Sequence, residues 1–479
     1  MSSPMLRAGI WSSAESLFRF GLQFAVSIIL ARILPPEDFG IYALTFIFLS
    51  LSNILIDGGF SRALIQKQDI DQGIETAVFL YNILAAGILS LGIAAIAPLI
   101  AAEYGFPILR DLLFACAALI FIGSLGAVPS ALMNRRLEFA KISRIMIVSS
   151  LLGSAAGVSA AVLGAGIWTF IIQSGVSAVY ALVATWASTD WRPRGPWSLR
   201  PARSLTGFST SLLASSLLEA AYSNGYPIIL AKAYGVLDVA YFNRGQNVQA
   251  NPASVISTTI QRLLFPSLAS CIADTPKVKA MTKRAVCTAA AINTPLMMFL
   301  SIFSDLIIGT IYGQKWLPAS SILTILAISG VVFPLQVINL QVLLAHGRAG
   351  MFLRIEITKK IIGIAFVIAG CFFGANGIAV GQAAFLFVAL VLNAWPTKSL
   401  INYPLFEQLR DGIPSFVISC LVMGCLWLGA SNLVMPDGMK LLSLLFLGGI
   451  AYLIIALIFG IGPFRELLAM MNFRKAQAG

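Results

Sequence analysis

ILARILPPEDFGIY, residues 29–42, returns about 200 residues later as ILAKAYGVLDVAY, residues 229–241, with a single gap. Two further pairs keep the same order: EYGFPILRDLL from Glu103 with IYGQKWLPASSIL from Ile311, and GAGIWTFIIQ from Gly164 with GANGIAVGQ from Gly374. Similarity that recurs in order at one pitch marks a duplicated architecture. Each match falls between apolar stretches about twenty residues long, the length that crosses the hydrocarbon core of a bilayer. The expectation is an all-α polytopic membrane protein with two pseudo-symmetric six-helix bundles and two additional C-terminal helices.

Working outward, the whole chain agrees. Of its 479 residues, 58% are hydrophobic and 11% charged, and the mean hydropathy is +0.88. Candidate spans run over 12–34, 39–60, 76–99, 109–131, 143–163, 165–187, 205–229, 237–261, 286–311, 319–344, 354–373, 377–395, 413–433 and 439–461, fourteen in all. The expected organisation is a first bundle over 1–189, a linker over 190–204, a second bundle over 205–397, and the last two helices with a tail over 398–479. The linker, DWRPRGPWSLRPARS, carries three prolines and a glycine and does not read as a span. The segment 237–261 is too polar for a hydropathy window, yet omitting it would break the alternation of charge described next.

Of the 32 Lys and Arg residues, 25 fall in every second gap between spans, among them Arg135, Arg136, Lys141 and Arg144, then Lys277, Lys279, Lys283 and Arg284. The opposite gaps hold Arg32, Arg110, Lys232, Lys315 and Lys440, while Arg19 and Arg244 lie inside spans. By the positive-inside rule both termini are expected to be cytoplasmic. Each repeat has an even number of spans, so both enter from the same side. Secondary transporters use such repeats as two halves rocking about a shared cavity.

Several classes are disfavoured. No gap is long enough for a soluble catalytic domain, and no P-loop is present for ATP hydrolysis. Six scattered cysteines and one histidine, His346, leave no zinc pattern. The net charge of +12 follows from the sidedness of the basic residues and implies contact with membrane lipids, not nucleic acid. No cleavable signal sequence is expected at the N-terminus.

Polar residues within spans are the candidates for function, because each is expensive in hydrocarbon. Glu15, Arg19 and Gln23 share a face of the first span at i, i+4 and i+8. Arg19 either pairs locally with Glu15 or offers its planar donors to a phosphate. In the seventh span Glu219, Tyr222 and Tyr226 repeat at i, i+3 and i+7, near Asn224. Glu219 either pairs with Arg244 or couples transport to a cation. In the eighth span Arg244, Asn247 and Asn251 share a face, and with Asn243 and Gln246 they form either a wall for sugar hydroxyls or interhelical glue. Pro334, Gln336, Asn339 and Gln341 mark a kink or interhelical bonding in the tenth span. Asp57 is expected at a helix end, and His346 at a surface.

ILARILPPEDFGIYAL (Ile29 to Leu44), DGGFSRALIQ (Asp57 to Gln66), EYGFP (Glu103 to Pro107) and GAGIW (Gly164 to Trp168) resemble the oligosaccharide flippases of polysaccharide biosynthesis, within the multidrug, oligosaccharidyl-lipid and polysaccharide exporter superfamily. The resemblance implies movement of undecaprenyl-diphosphate-linked oligosaccharide units from the cytoplasmic to the periplasmic leaflet, for exopolysaccharide, capsule or O-antigen synthesis. It implies a transporter without enzymatic activity or cofactor; with no ATP site, the energy source is an ion gradient, with H+ or Na+ as the candidate coupling ion, the membrane potential, or the substrate's own gradient. Partners would be a polysaccharide polymerase and a chain-length regulator. Basic cavity residues receive the diphosphate in this family, which makes Arg19 and Arg244 the first candidates, and spans 13 and 14 would add a groove for the polyprenyl tail. Two rivals are a cation-coupled exporter of amphiphilic small molecules and a membrane-embedded polymerase. The short basic-poor gaps disfavour the polymerase, which would need a sizeable basic periplasmic loop.

Overall fold

A computed structural model describes residues 3–58, 60–66, 70–205, 213, 216–217, 220, 225–430 and 433–461. Regular structure among the described residues is entirely helical. The helices are α1 (Ser3–Ile33), α2 (Pro36–Asp57), α3 (Phe60–Gln66), α4 (Gln72–Tyr104), α5 (Pro107–Arg135), α6 (Phe139–Val162) and α7 (Trp168–Ala187). Residues 225–234 form α8. There follow α9 (Val236–Ala269), α10 (Thr275–Ile302), α11 (Ser304–Ile311), α12 (Pro318–Gly330), α13 (Phe333–Ala345), α14 (Ala349–Cys371), α15 (Gly374–Ile401), α16 (Leu405–Ala430) and α17 (Asp437–Ile458).

Among the described residues nine helices are long and apolar enough to cross a membrane, or ten if the α12–α13 pair, bent by 41°, is one span. Helices α1, α9 and α14 have the length, at 31, 34 and 23 residues. Arg354, Glu356, Lys359 and Lys360 load α14 with charge, and Asn and Gln side chains lower the hydropathy of α9. Most of the expected seventh span lies outside the described residues. The expected ninth span is interrupted, since α10 stops at Ile302 and α11 starts at Ser304. The tenth breaks ahead of Pro334, which has no N–H to continue a helix. Asn293 repairs that break by donating from Nδ2 to the carbonyls of Gly330 (2.9 Å) and Val331 (3.2 Å). Backbone left open in an apolar bundle needs such partners.

The chain divides into two compact units, Met1–Leu237 and Asp238–Gly479. In the first, α3, α4 and α5 close around Leu64, Val78, Phe79 and Leu132, and Trp191 inserts into the same cluster. The stretch expected as a plain linker is therefore docked. Trp191 donates from Nε1 to Glu75 Oε2 at 2.7 Å, and the Gly195 amide donates to Thr76 Oγ1 at 3.0 Å. A Cβ on Gly195 would lie 2.4 Å from the Gln72 carbonyl oxygen, so only glycine fits against α4 there. The opening motif packs on its own repeat: Gly40 abuts the backbone of Val236, where a Cβ would come within 1.9 Å of the carbonyl oxygen. Lys232 of the second copy pairs with Glu103 at 2.6 Å. Tyr42 stacks on Phe170 of α7 with centroids 4.4 Å apart.

The second unit has its apolar core at Leu268, Val278, Val286, Ile338 and Val342. Beside it runs a buried polar net. Asn339 Nδ2 donates to Gln408 Oε1 (2.8 Å), and Gln408 Nε2 and Thr397 Oγ1 donate back to Asn339 Oδ1 (3.0 and 2.6 Å). Gln336 donates to the Leu386 carbonyl at 2.9 Å. These amides join α13 to α15 and α16, so the two alternatives read for the tenth span, a kink or interhelical bonding, occur together in it. Two ion pairs, Lys279–Glu407 and Lys283–Asp411, each 2.9 Å, fasten α16 to α10.

The duplication is visible in local backbone. Gly105 and Gly313, the glycines of EYG and IYG, have φ of 73° and 98°, and Gly164 and Gly374 have 81° and 74°. Equivalent glycines thus share a positive φ at the junctions between helices, which other residues adopt only at a penalty, although Gly105 (ψ 15°) is left-handed helical where Gly313 (ψ 165°) is extended. The final helix pair of each repeat is also built alike. A Cβ on Gly153 would lie 1.9 Å from Ser177 Oγ, and one on Gly377 would lie 2.3 Å from the Gly370 carbonyl oxygen. Small residues let such helices approach closely where no hydrophobic effect drives them together.

Candidate functional site

Helix α9 decides the character of the second unit. Its residues Gln246, Gln249, Ser254, Ser257, Thr258 and Gln261 line one side of a cavity of about 430 Å³. Leu326, Ser329 and Phe333 close a second side, and Gln382 and Leu386 of α15 a third. No charged residue lines it. Gln246 Nε2 donates to Gln382 Oε1 at 3.2 Å, tying α9 to α15 at the wall. Gln249 has a weaker partner, Met297 Sδ at 3.8 Å. The hydroxyls of Ser257 and Thr258 donate to the Ala253 and Ser254 carbonyls at 2.7 and 2.8 Å. Their oxygen lone pairs remain as acceptors, while the Gln amides offer both donors and acceptors. Phe333 and the two leucines give an apolar surface for the C–H face of a ring. Amides, hydroxyls and an aromatic ring suit a neutral hydroxylated ligand; the cavity wall contains no acid–base pair for a covalent step.

Arg244 lies elsewhere. It is 7% exposed, and its guanidinium stands 4.5 Å from the ring centroids of both Tyr312 and Trp316. Trp316 is fully buried. The flat cation between two aromatic faces pins α9 to the segment joining α11 and α12. Burial pulls the adjacent Lys315 ammonium below its usual range. Asn243, Arg244, Asn247 and Asn251 do not line the cavity; Asn247 is exposed, and Asn243 and Asn251 are half-buried. Of the expected polar wall, Gln246 alone faces it. Gln249, Ser257, Gln261 and Gln382 were missed by the sequence reading, although Gln382 closes the repeat motif GANGIAVGQ.

In the first unit, Arg19 donates from Nη1 to Glu15 Oε1 at 2.9 Å, the local pair that was one of its two readings. The Arg19 side chain is 46% exposed against 12% for Glu15. Gln23, on the same helix, is exposed. Glu219, Tyr222 and Asn224 lie outside the described residues. Asp57 accepts from the Ser61 amide at 3.2 Å, a helix-end role. The His346 ring shares a 2.8 Å contact with the Val342 carbonyl, at a half-buried position. Among the described residues no group of three His, Cys, Asp or Glu is arranged to hold a metal ion.

The architecture has known counterparts. The chain superposes on a solved structure of lipid II flippase MurJ in its inward closed conformation, with TM-score 0.78 and 13% identity over 95% of this chain and 99% of that one. An inward-facing multidrug resistance MATE family transporter of the MOP superfamily gives TM-score 0.61 and 15% identity over 80% and 94%. These likenesses concern the fold. In sequence, the succinoglycan biosynthesis transport protein ExoT of Rhizobium meliloti (strain 1021) is 26% identical over 325 residues, 68% of this chain and 66% of that protein. The lipopolysaccharide biosynthesis protein WzxC of Escherichia coli (strain K12) is 24% identical over 390 residues, 80% and 77% respectively. Residues 29–321, from the first repeat motif to α12, match the family described as polysaccharide biosynthesis protein, and the chain belongs to that family.

Proposed function

We propose that the chain is a flippase that carries undecaprenyl-diphosphate-linked oligosaccharide repeat units from the cytoplasmic to the periplasmic leaflet of the inner membrane. The observation that carries this reading is the uncharged polar cavity along α9. Several sugars and a diphosphate cannot enter hydrocarbon without a lined path, because each unpartnered polar group is costly there. Gln246, Gln249 and Gln382 supply exchangeable partners to sugar hydroxyls, and Phe333 supplies a stacking face. Arg19, exposed beyond its pair with Glu15, is the basic group offered to the diphosphate. Arg244 supports the wall from its aromatic cage. Asn243, Asn247 and Asn251 add polar groups for the glycan along α9, Gln23 does so on the helix of Arg19, Tyr222 is a further substrate contact, and Glu219 provides the coupling element for H+ or Na+.

The names of the relatives agree with this reading: one is a succinoglycan transport protein, and another serves lipopolysaccharide biosynthesis. No covalent step is involved and the protein is not an enzyme. Both termini are cytoplasmic, and the product is handed to a polymerase and a chain-length regulator. Vesicles reconstituted with the full chain and a fluorescent lipid-linked oligosaccharide test the proposal. Leaflet transfer well above protein-free vesicles is expected; transfer at the protein-free rate overturns it.

A further inference from the structure

The half of α9 that follows the polar cavity borders a second recess, shared with α10 and of opposite character. Val255, Ile260, Leu263, Leu264, Ala289 and Ile292 wall a slot of about 550 Å³. Leu263 is 66% exposed and Ile292 53%, so the slot is open along its length. Its wall carries three hydroxyls, and two of them spend their proton on their own helix: Thr259 donates to the Val255 carbonyl at 2.9 Å and Ser267 to the Leu263 carbonyl at 2.7 Å. The rest of the wall is predominantly hydrocarbon, with no amide side chain and one charged residue. Arg284 lines the slot from α10, near Ser267 and Met281, at the end beside the turn between the two helices.

An open apolar channel with a single cation at one end matches an amphiphile with a long hydrocarbon chain and an anionic head. The neighbouring cavity narrows the choice. Ser254, Ser257, Thr258 and Gln261 face the polar cavity, while Val255, Ile256, Thr259 and Ile260 face the slot. At 100° per residue these are adjacent faces of one helix. A molecule carrying glycans, phosphate and a chain would straddle α9 and use both recesses, whereas a bilayer phospholipid has no part for the polar one. Resting on the flippase reading, we propose that the α9–α10 slot receives the isoprenoid chain of the lipid-linked substrate, with its phosphate against Arg284.

The sugar-free probe undecaprenyl phosphate tests this apart from transport. The full chain in nanodiscs is titrated with it, alongside Arg284→Gln, Arg284→Lys and Ala285→Trp, which fills the slot; thermal unfolding confirms that each variant is folded. Should Ala285→Trp fail to fold, Ile292→Trp on the exposed wall blocks the other end. Affinity is expected to fall about tenfold in Arg284→Gln and in the filled variant, and less in Arg284→Lys, because the charge is kept but the planar fork is lost. Phosphatidylglycerol should not displace the probe. Unchanged affinity in both Arg284→Gln and the filled variant, or equal displacement by phosphatidylglycerol, overturns the assignment. Slot-dependent binding by a protein that moves no glycan would remove the transport reading and leave the slot. Normal transport with probe binding indifferent to the slot would do the reverse.

Discussion

Arg244 and Trp316 stack with the guanidinium carbon 4.5 Å from the ring centroid, and Tyr312 lies at the same distance. With Arg244 only 7% exposed, the contact is desolvated, where a cation–π pair contributes about 2 kcal/mol or more. Arg244→Lys keeps the charge but replaces a flat group by a compact one. It should lower stability by about 1–2 kcal/mol. Trp316→Ala also loses a fully buried side chain and should cost about 3–5 kcal/mol. A double-mutant cycle read by thermal unfolding in detergent measures the coupling. Additive effects of the two substitutions would sink the claim that they act as one clamp.

Leu137 has φ of 58°, the left-handed region, in the turn between α5 and α6. In the corresponding turn between α13 and α14, Gly347 holds φ of 69°. A leucine in this conformation is strained by about 1–2 kcal/mol, part of which is returned by the greater unfolded-state freedom of glycine. Leu137 is 62% exposed and gives up little packing. Leu137→Gly should therefore stabilise the protein by about 0.5–1 kcal/mol. A lowered unfolding midpoint would refute this account.

Gly377 and Gly370 bring α14 and α15 into backbone contact, and a Cβ at Gly377 would lie 2.3 Å from the Gly370 carbonyl oxygen. The obstacle is backbone and cannot rotate away. Gly377→Ala should destabilise by about 1–3 kcal/mol as the helices are forced apart, despite the better helix propensity of alanine. Gly424, inside α16 with nothing within 4 Å of a built Cβ, is the control: Gly424→Ala should be neutral or stabilising. Equal responses at the two positions would argue against close packing as the reason for the glycine.

How much of this was legible in the sequence follows from the kind of signal each residue gives. The repeat was readable because its junctions need a positive φ, which glycine supplies at Gly105, Gly164, Gly313 and Gly374. The docking of Trp191 was not, since proline-rich sequence says where a helix cannot run but nothing about which surface receives it. Helix α9 reads as polar in sequence, but the face that lines the cavity lies beside the one its polar spacing selects. The i, i+3, i+7 pattern selected Arg244, Asn247 and Asn251, whereas packing against α12 and α15 turned Gln246, Gln249 and Ser257 toward the cavity. Periodicity finds a face; only the neighbouring helices decide what it meets. Arg244 shows the same limit from the other side, because its partners Tyr312 and Trp316 lie beyond any local pattern.

Gly330 offers a way to move one wall of the polar cavity without touching its lining. A Cβ there would lie 2.5 Å from Gln249 Nε2 and 3.0 Å from Met297 Sδ, both ends of flexible side chains. Gly330→Ala should therefore fold with little loss of stability while driving the Gln249 amide out of place. If that amide is a partner for sugar hydroxyls, losing one or two hydrogen bonds of about 1 kcal/mol each lowers glycan transfer roughly fivefold to thirtyfold. Gln249→Leu removes the same group directly and should match it, whereas Gln249→Glu keeps the shape but adds a charge that the neutral cavity cannot balance, and should be worse. The measurement is leaflet transfer in reconstituted vesicles at equal protein incorporation. Full transfer in Gly330→Ala and Gln249→Leu together would show that the cavity does not carry the glycan.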